Sequence, residues 1–365
     1  MRTASPWKRV SVVAVLFTLL ALAPLAAGHG HGHDDDDIVT VSDYPFATPI
    51  FGLTSVFDGH LFVADAGAGI VRLKRGGGDL FAALPGVSDM APTLFGMWAI
   101  TGGTGPGNPQ TPTSSRLYWV THSGAVHEVA NLATFEETVN PDAPEVNPNP
   151  FDVAAYGTHA LVADAGGNDL LIVDRDGKID WVATLPVEPT PTDNVKSLFH
   201  CPAGPPDICS LPPMLPTQPV ATSIAVGPDG YFYMGELKGF PAPAGKSKVW
   251  RIKPTARHAR CGSSPDCTVV ADGFTSIIDL AFGPNGTLHV VELDEASWFA
   301  VEVLHAPTTG TVNACRRNPW TGTFKCVPEA TGLVEPIAAT VDWRGRVFVA
   351  THALEPGEAE IVALP

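Results

Sequence analysis

Six positions in the 365-residue chain place an oxygen-bearing side chain at the end of a similar apolar run. Asp65 follows LFVA, Thr121 follows LYWV, Asp164 follows LVA, Glu236 follows FYMG, Glu292 follows HVV and Thr351 follows FVA. Successive members are 43 to 72 residues apart. Asp152, Ser223 and Asp279 stand at the start of neighbouring apolar runs, and His122 and His352 come directly after the two threonines. Carboxylates brought to one level can do three things. They can cap turns by accepting backbone N–H groups. They can hold a hard cation such as Ca²⁺ through oxygen ligands. With a metal or a raised pKa, they can act on a small molecule such as a lactone. The candidate metal ligands are Asp65, Asp164, Glu236, Glu292, Asp152 and Asp279, with Thr121, His122, Ser223, Thr351 and His352 beside them on the same rim.

The elements that must position these groups are short strands. Five of the six runs follow a turn containing glycine, such as Gly227-Pro228-Asp229-Gly230 and Gly283-Pro284-Asn285-Gly286. Another apolar run precedes most of these turns (FDVAAY, SIAVG, DLAFG), and a third and often a fourth run come after (LLIVD, KVWRIK; KIDWVATLP, CTVVADGF). Six such units indicate an all-β, six-bladed β-propeller, because blades stacked face to face bury both sides of most strands. The last unit lacks a fourth strand, and IVTVS (38–42) has no unit of its own. That segment is expected to supply the outer strand and close the ring, which also covers an exposed edge. Residues 38–365 then form one domain.

Composition narrows the function. The formal charge of −16 argues against nucleic-acid binding, which needs basic patches to displace counterions. Apolar residues make up 45 % of the chain, and 36 Gly and 35 Pro suit a turn-rich β fold. Residues 1–27 read as a secretory signal, with Arg2, Lys8 and Arg9 ahead of the apolar Val10–Ala23 and a small-residue exit. Uncleaved, the same run would anchor the chain in a membrane; cleaved, it leaves no spanning segment. Residues 28–37, GHGHGHDDDD, read as a flexible leader with weak transition-metal affinity as the alternative. Export to a secreted or periplasmic location suits the six cysteines. Spacing alone allows 15 connectivities. The local pairs Cys201/Cys209, Cys261/Cys267 and Cys315/Cys326 are expected because each brackets a turn-rich loop, and no pair has the close spacing favoured by zinc.

Three segments, 149–186, 219–254 and 274–299, resemble the ScyD/ScyE family, as does VANLATFEETVNPD (129–142). GELKGFPAPAGKSKVWRI is the most specific part. The strands are more distantly similar to NHL-type six-bladed propellers. The family is named for proteins encoded beside scytonemin-pigment biosynthesis enzymes, and it offers no catalytic motif to carry over. The resemblance therefore implies the fold and leaves the activity open.

Antiparallel geometry puts strand-two ends and strand-one starts on one rim of the central channel. The inserts 187–218, 238–246 and 294–309 emerge on that rim, and long inserts commonly carry function. Phe240, Trp298 and Phe299 either line a cleft there or cover the blade tops. DRDG (174–177) reads as a tight turn, and Asn285-Gly286-Thr287 has the form of a glycosylation sequon. H-E-x-x-H, G-x-S-x-G and phosphate-loop motifs are absent. The expected function is binding of a small molecule or protein partner at the rim, with a cation there as an option. A metal-dependent hydrolase or lactonase using the same carboxylates is the alternative, and a purely structural interaction scaffold is the third reading.

Overall fold

The computed structural model describes residues 39–365 except 43, 57, 75–76 and 106–107. The expected signal and His/Asp-rich leader lie outside the described residues. The described residues form six blades, each built on four antiparallel strands, with a fifth strand added to blade 3 and a separate two-stranded sheet, Glu188–Pro191 with Met214–Thr217, in the 187–218 insert. Blade 1 runs Ile50–Ser55, Leu61–Asp65, Gly69–Lys74 and Gly77–Ala83. Blade 2 runs Val87–Thr93, Gly96–Thr101, Arg116–Val120 and Val126–Asn131. Blade 3 runs Pro150–Tyr156, His159–Asp164, Asp169–Val173 and Ile179–Thr184. Blade 4 runs Ala221–Val226, Phe232–Glu236, Ser247–Ile252 and Cys267–Phe274. Blade 5 runs Ile277–Phe282, Leu288–Glu292, Gly310–Arg317 and Phe324–Leu333.

Blade 6 takes three strands from the C-terminal end, Ala338–Val341, Val347–Thr351 and Glu360–Ala363. Its fourth is Val39–Ser42, antiparallel to Glu360–Ala363. Thr40 Oγ1 donates to Glu360 Oε2 at 3.0 Å across this junction. The innermost strands neighbour one another in a closed cycle from blade 1 through blade 6 and back. The ring is therefore the expected six-bladed propeller, closed by the expected strand.

Burial follows from stacking. Four core clusters each mix two adjacent blades: Phe62, Ala64 and Ile70 pack with Met90, Met97 and Ala99, for example, while Trp98, Ile100 and Leu117 turn the other way onto Val153, Val162 and Leu171. Alternate residues of one strand thus serve opposite neighbours, which is why these strands read as continuous apolar runs. Blades 3 and 4 are also strapped together. Ala259–Arg260 adds a parallel strand to the outer edge of blade 3, and His258 stacks on Trp181 at 4.7 Å. The cysteines form the three local disulfides Cys201–Cys209, Cys261–Cys267 and Cys315–Cys326. Those bonds fit an oxidising, extracytoplasmic setting. Among the described residues no helix is long and apolar enough to cross a membrane.

Candidate functional site

The strand-two carboxylates are held by their own blades. Asp65 accepts the N–H groups of Ala47 (2.6 Å) and Gly67 (3.0 Å). Asp164 Oδ1 accepts from Asn149 (2.7 Å), Gly166 (3.0 Å) and Gly167 (2.8 Å). Glu292 accepts from the Thr275 N–H and from Asn313 Nδ2. Ala47, Asn149 and Thr275 each lie just before the inner strand of the same blade, so each carboxylate ties down the incoming connection. Glu236 has a cation of its own chain instead, with Lys238 Nζ 3.0 Å from Oε1. Thr351 is buried. His352 has φ 49°, and its Nδ1 is buried without a partner. Among the described residues, no three acidic, His or Cys side chains are grouped so as to hold a metal ion. The six carboxylates named from sequence therefore do not form one ring around a common centre.

Asp152 and Asp279 do a different job, together with Asp89, which the sequence reading missed. They occupy equivalent inner-strand positions, paired with Ala163, Val291 and Ile100 respectively. Each reaches the backbone of the next blade in the ring. Asp89 Oδ2 accepts from Val153 N–H (3.0 Å), Asp152 Oδ2 from Ile224 (2.6 Å) and Asp279 Oδ2 from Ala339 (2.6 Å). Blade 1 has Gly52 at this position, where a Cβ would overlap Asp89 Oδ1. Blade 4 has Ser223, fully buried with an unpartnered Oγ that faces Gly235. Desolvation pushes Asp89 up to about 7, moderated by a hydrogen bond to Asp152. Desolvation and the neighbouring Asp89 raise Asp152 well above the usual range, and desolvation with Asp152 does the same to Asp279.

Thr121 and His122 are not on this rim. The sequence aligned RLYWV as a second strand. The structure makes Gly96–Thr101 the second strand of blade 2 and Arg116–Val120 the third. A third strand runs back, so Thr121 and His122 lie at the opposite end, beside Asp58, His60 and Leu94 in a cavity of about 590 Å³. His122 Nε2 contacts Leu94 O at 3.1 Å, and Thr121 Oγ1 accepts from Ala125 N–H. The missed signal was GMWAIT after the Leu94-Phe95-Gly96 turn.

That correction turns residues 102–115 into a strand 2→3 insert on the carboxylate rim, with large consequences for the site. Five inner strands carry an irregularity one residue before the Gly52/Asp89/Asp152/Ser223/Asp279 position. The extra residues are Phe51, Ser88, Phe151, Thr222 and Ile278. Phe51 and Phe151, from blades 1 and 3, approach to 6.0 Å between ring centroids. They join Ile278, Ile337 and Val195 in one apolar cluster.

Val195 belongs to the helix Asp193–Leu198 of the 187–218 insert. The neighbouring Asn194 Nδ2 donates to Ala242 O (2.6 Å) and Ala296 O (3.0 Å), pinning the insert to blades 4 and 5. Phe240, Trp298 and Phe299 pack together beneath it, covering the blade tops. The half of the rim over blades 1–3 instead holds a cleft of about 290 Å³, lined by Phe51 and Phe151 and by Thr101, Thr113, Ser114 and Asn149. None of its lining residues is acidic, basic or His.

No protein-family model matches the chain, and no curated protein matches it. Solved structures share its fold. A protein of unknown function from Bacteroides thetaiotaomicron aligns with TM-score 0.55 and 11 % identity, covering 90 % of this chain and 75 % of that one. A gluconolactonase from Xanthomonas campestris aligns with TM-score 0.53 and 12 % identity, covering 90 % and 89 %. A candidate oxidoreductase (glucose dehydrogenase) from Thermus thermophilus aligns with TM-score 0.51 and 13 % identity, covering 90 % and 99 %. At these identities the likeness concerns the six-bladed β-propeller fold alone.

Proposed function

We propose that this is an exported binding protein whose rim cleft over blades 1–3 takes a small, uncharged, partly apolar molecule. The cleft carries the reading: two phenyl rings on one side, neutral hydroxyl and amide groups on the other, and no titratable side chain among its lining residues. Its size suits a small ligand, and such a wall can orient neutral polar groups but offers no acid, base or nucleophile beyond hydroxyls. The ScyD/ScyE resemblance is compatible with this reading because it brings a propeller without a catalytic motif. Export is part of the proposal and rests on residues 1–27 and the three disulfides.

Ligand-observed NMR with a library of neutral aromatic and lactone fragments tests the reading. Hits should compete with one another and disappear in Thr113→Trp, which fills the cleft from its exposed side. Hits unaffected by that variant, or turnover of any lactone by the wild-type protein, would point away from a passive cleft.

A further inference from the structure

The turn Asp164-Ala165-Gly166-Gly167-Asn168-Asp169 of blade 3 gathers more acid than its blade 1 counterpart, where Gly69 replaces the second aspartate. Asp164 and Asp169 are direct cross-strand partners, which places their Cβ atoms about 5 Å apart. Glu136, on the short helix Leu132–Thr138, comes to the same turn. A Cβ added at Gly167 would lie 3.4 Å from Asp164 Cγ and 3.4 Å from Glu136 Oε2. Asp142 joins through Asn168, whose Nδ2 donates to Asp142 Oδ2 at 2.8 Å.

Asp164 Oδ1 is satisfied by three N–H groups and Asp142 Oδ2 by Asn168, but four other oxygens of this group lack donors. Asp169 is 1 % exposed and neither of its carboxylate oxygens has a partner. Glu136 is 3 % exposed with Oε1 unpartnered, and Asp142 Oδ1 is also buried and unpartnered. Among the described residues no Lys, Arg or His forms an ion pair with any of the four acids. Arg260, the nearby cation, gives Nη1 to Pro141 O and lies over the Trp181 ring. Buried, uncompensated carboxylates are costly. Protons, ordered water or a bound cation can relieve them.

We propose that Asp169, Glu136, Asp142 and Asp164 form a divalent-cation site of the Ca²⁺ type, with Asp169 as its central ligand. Oxygen-only donors are what a hard cation selects. A cavity of about 520 Å³ lined by Asp142, Glu145, Asn168 and Gln218 opens onto the Asp142 side of the group. The four groups are not yet arranged around one point, so loading turns Glu136 and Asp142 toward Asp169. Both sit on the connection between blades 2 and 3. Desolvation and mutual repulsion already push Glu136 up to about 8 and raise Asp169 well above the usual range. Asn149 touches both places, lining the rim cleft and giving its N–H to Asp164 Oδ1, but cleft binding and Ca²⁺ binding are read out separately, so failure of one does not decide the other.

The test is calorimetry and thermal melting of chelator-treated protein with CaCl₂ and with MgCl₂ at constant ionic strength. One equivalent of Ca²⁺ should bind and raise Tm saturably. Asp169→Asn and Glu136→Gln should each weaken that binding at least tenfold. The His/Asp-rich leader is retained in these variants, so any weak binding by it stays and serves as the internal baseline. Should Asp169→Asn fail to fold, Glu136→Gln and the Ca²⁺ dependence of the wild-type melt decide alone. Ca²⁺ binding unchanged in the variants overturns the site. So does the absence of any cation response in the wild-type protein; protons or ordered water then hold the cluster, and Asp169→Asn should be the more stable protein at pH 8.

Discussion

Lys238 Nζ lies 3.0 Å from Glu236 Oε1, and both side chains are shut away from solvent, Lys238 at 1 % exposure and Glu236 at 0 %. The same ammonium lies 2.8 Å from Glu188 at the base of the 187–218 insert, and Glu188 is also 2.6 Å from Lys248. One buried cation thus neutralises a rim carboxylate and anchors the cover over blades 4 and 5. Burial nevertheless outweighs Lys238 and pushes Glu236 up to about 7.

Removing that cation should therefore be expensive. Lys238→Met leaves Glu236 uncompensated in the interior, and breaking a buried pair this way costs about 3–5 kcal/mol. Adding Glu236→Gln should recover much of the loss. Denaturant melts of the single and double variants measure both, and hydrogen exchange should show the 187–218 insert opening in Lys238→Met. Equal stability of the single variant and wild type contradicts the role given to the pair.

The inner-strand aspartates make stability fall as pH rises. Their folded pKa values exceed the ordinary 3.8, so the native state keeps protons that the unfolded chain releases. The contribution is complete below about pH 4 and, for Asp89, is lost as pH rises through about 7; Asp152 and Asp279 act in the same direction. The whole rise at Asp89 corresponds to about 4 kcal/mol at most. Asp89→Asn keeps an acceptor for the Val153 N–H while removing the charge. It should raise Tm at pH 8 and leave it nearly unchanged at pH 4.5. A pH-independent effect would show that the carboxyl does not titrate as described.

Closure by the N-terminal strand can be tested by truncation. A chain beginning at Tyr44 leaves the Glu360–Ala363 edge unpaired and loses the Thr40–Glu360 hydrogen bond. Tm should fall by roughly 5 °C, and the open edge should promote association, visible by size-exclusion chromatography. A monomer of unaltered Tm would mean that the strand adds little to the ring.

Much of the ring was legible because stacked blades impose a repeating demand on composition. Each blade needs apolar runs, glycine-bearing turns and a polar strand end, and the residues around Asp164, Glu236 and Glu292 satisfy it openly. Blade 2 was misaligned because its second strand, GMWAIT, ends in Thr101 without a carboxylate, while RLYWVTH imitates the pattern one strand later. That slip hid both Asp89 and the cleft formed with the 102–115 insert.

Fold class, the closing strand, the local disulfides and the rim on which the long inserts emerge could all be read from the chain alone. These depend on local pattern and on contacts between neighbouring units. The partner that each carboxylate takes is a matter of three-dimensional packing. Asp65, Asp164 and Glu292 hold loop N–H groups, Glu236 holds Lys238, and Asp89, Asp152 and Asp279 hold the next blade. The gathering of Glu136, Asp142 and Asp169 around Asp164 was likewise invisible in one dimension. Three separate chain segments supply those acids, and their spacing obeys no repeat.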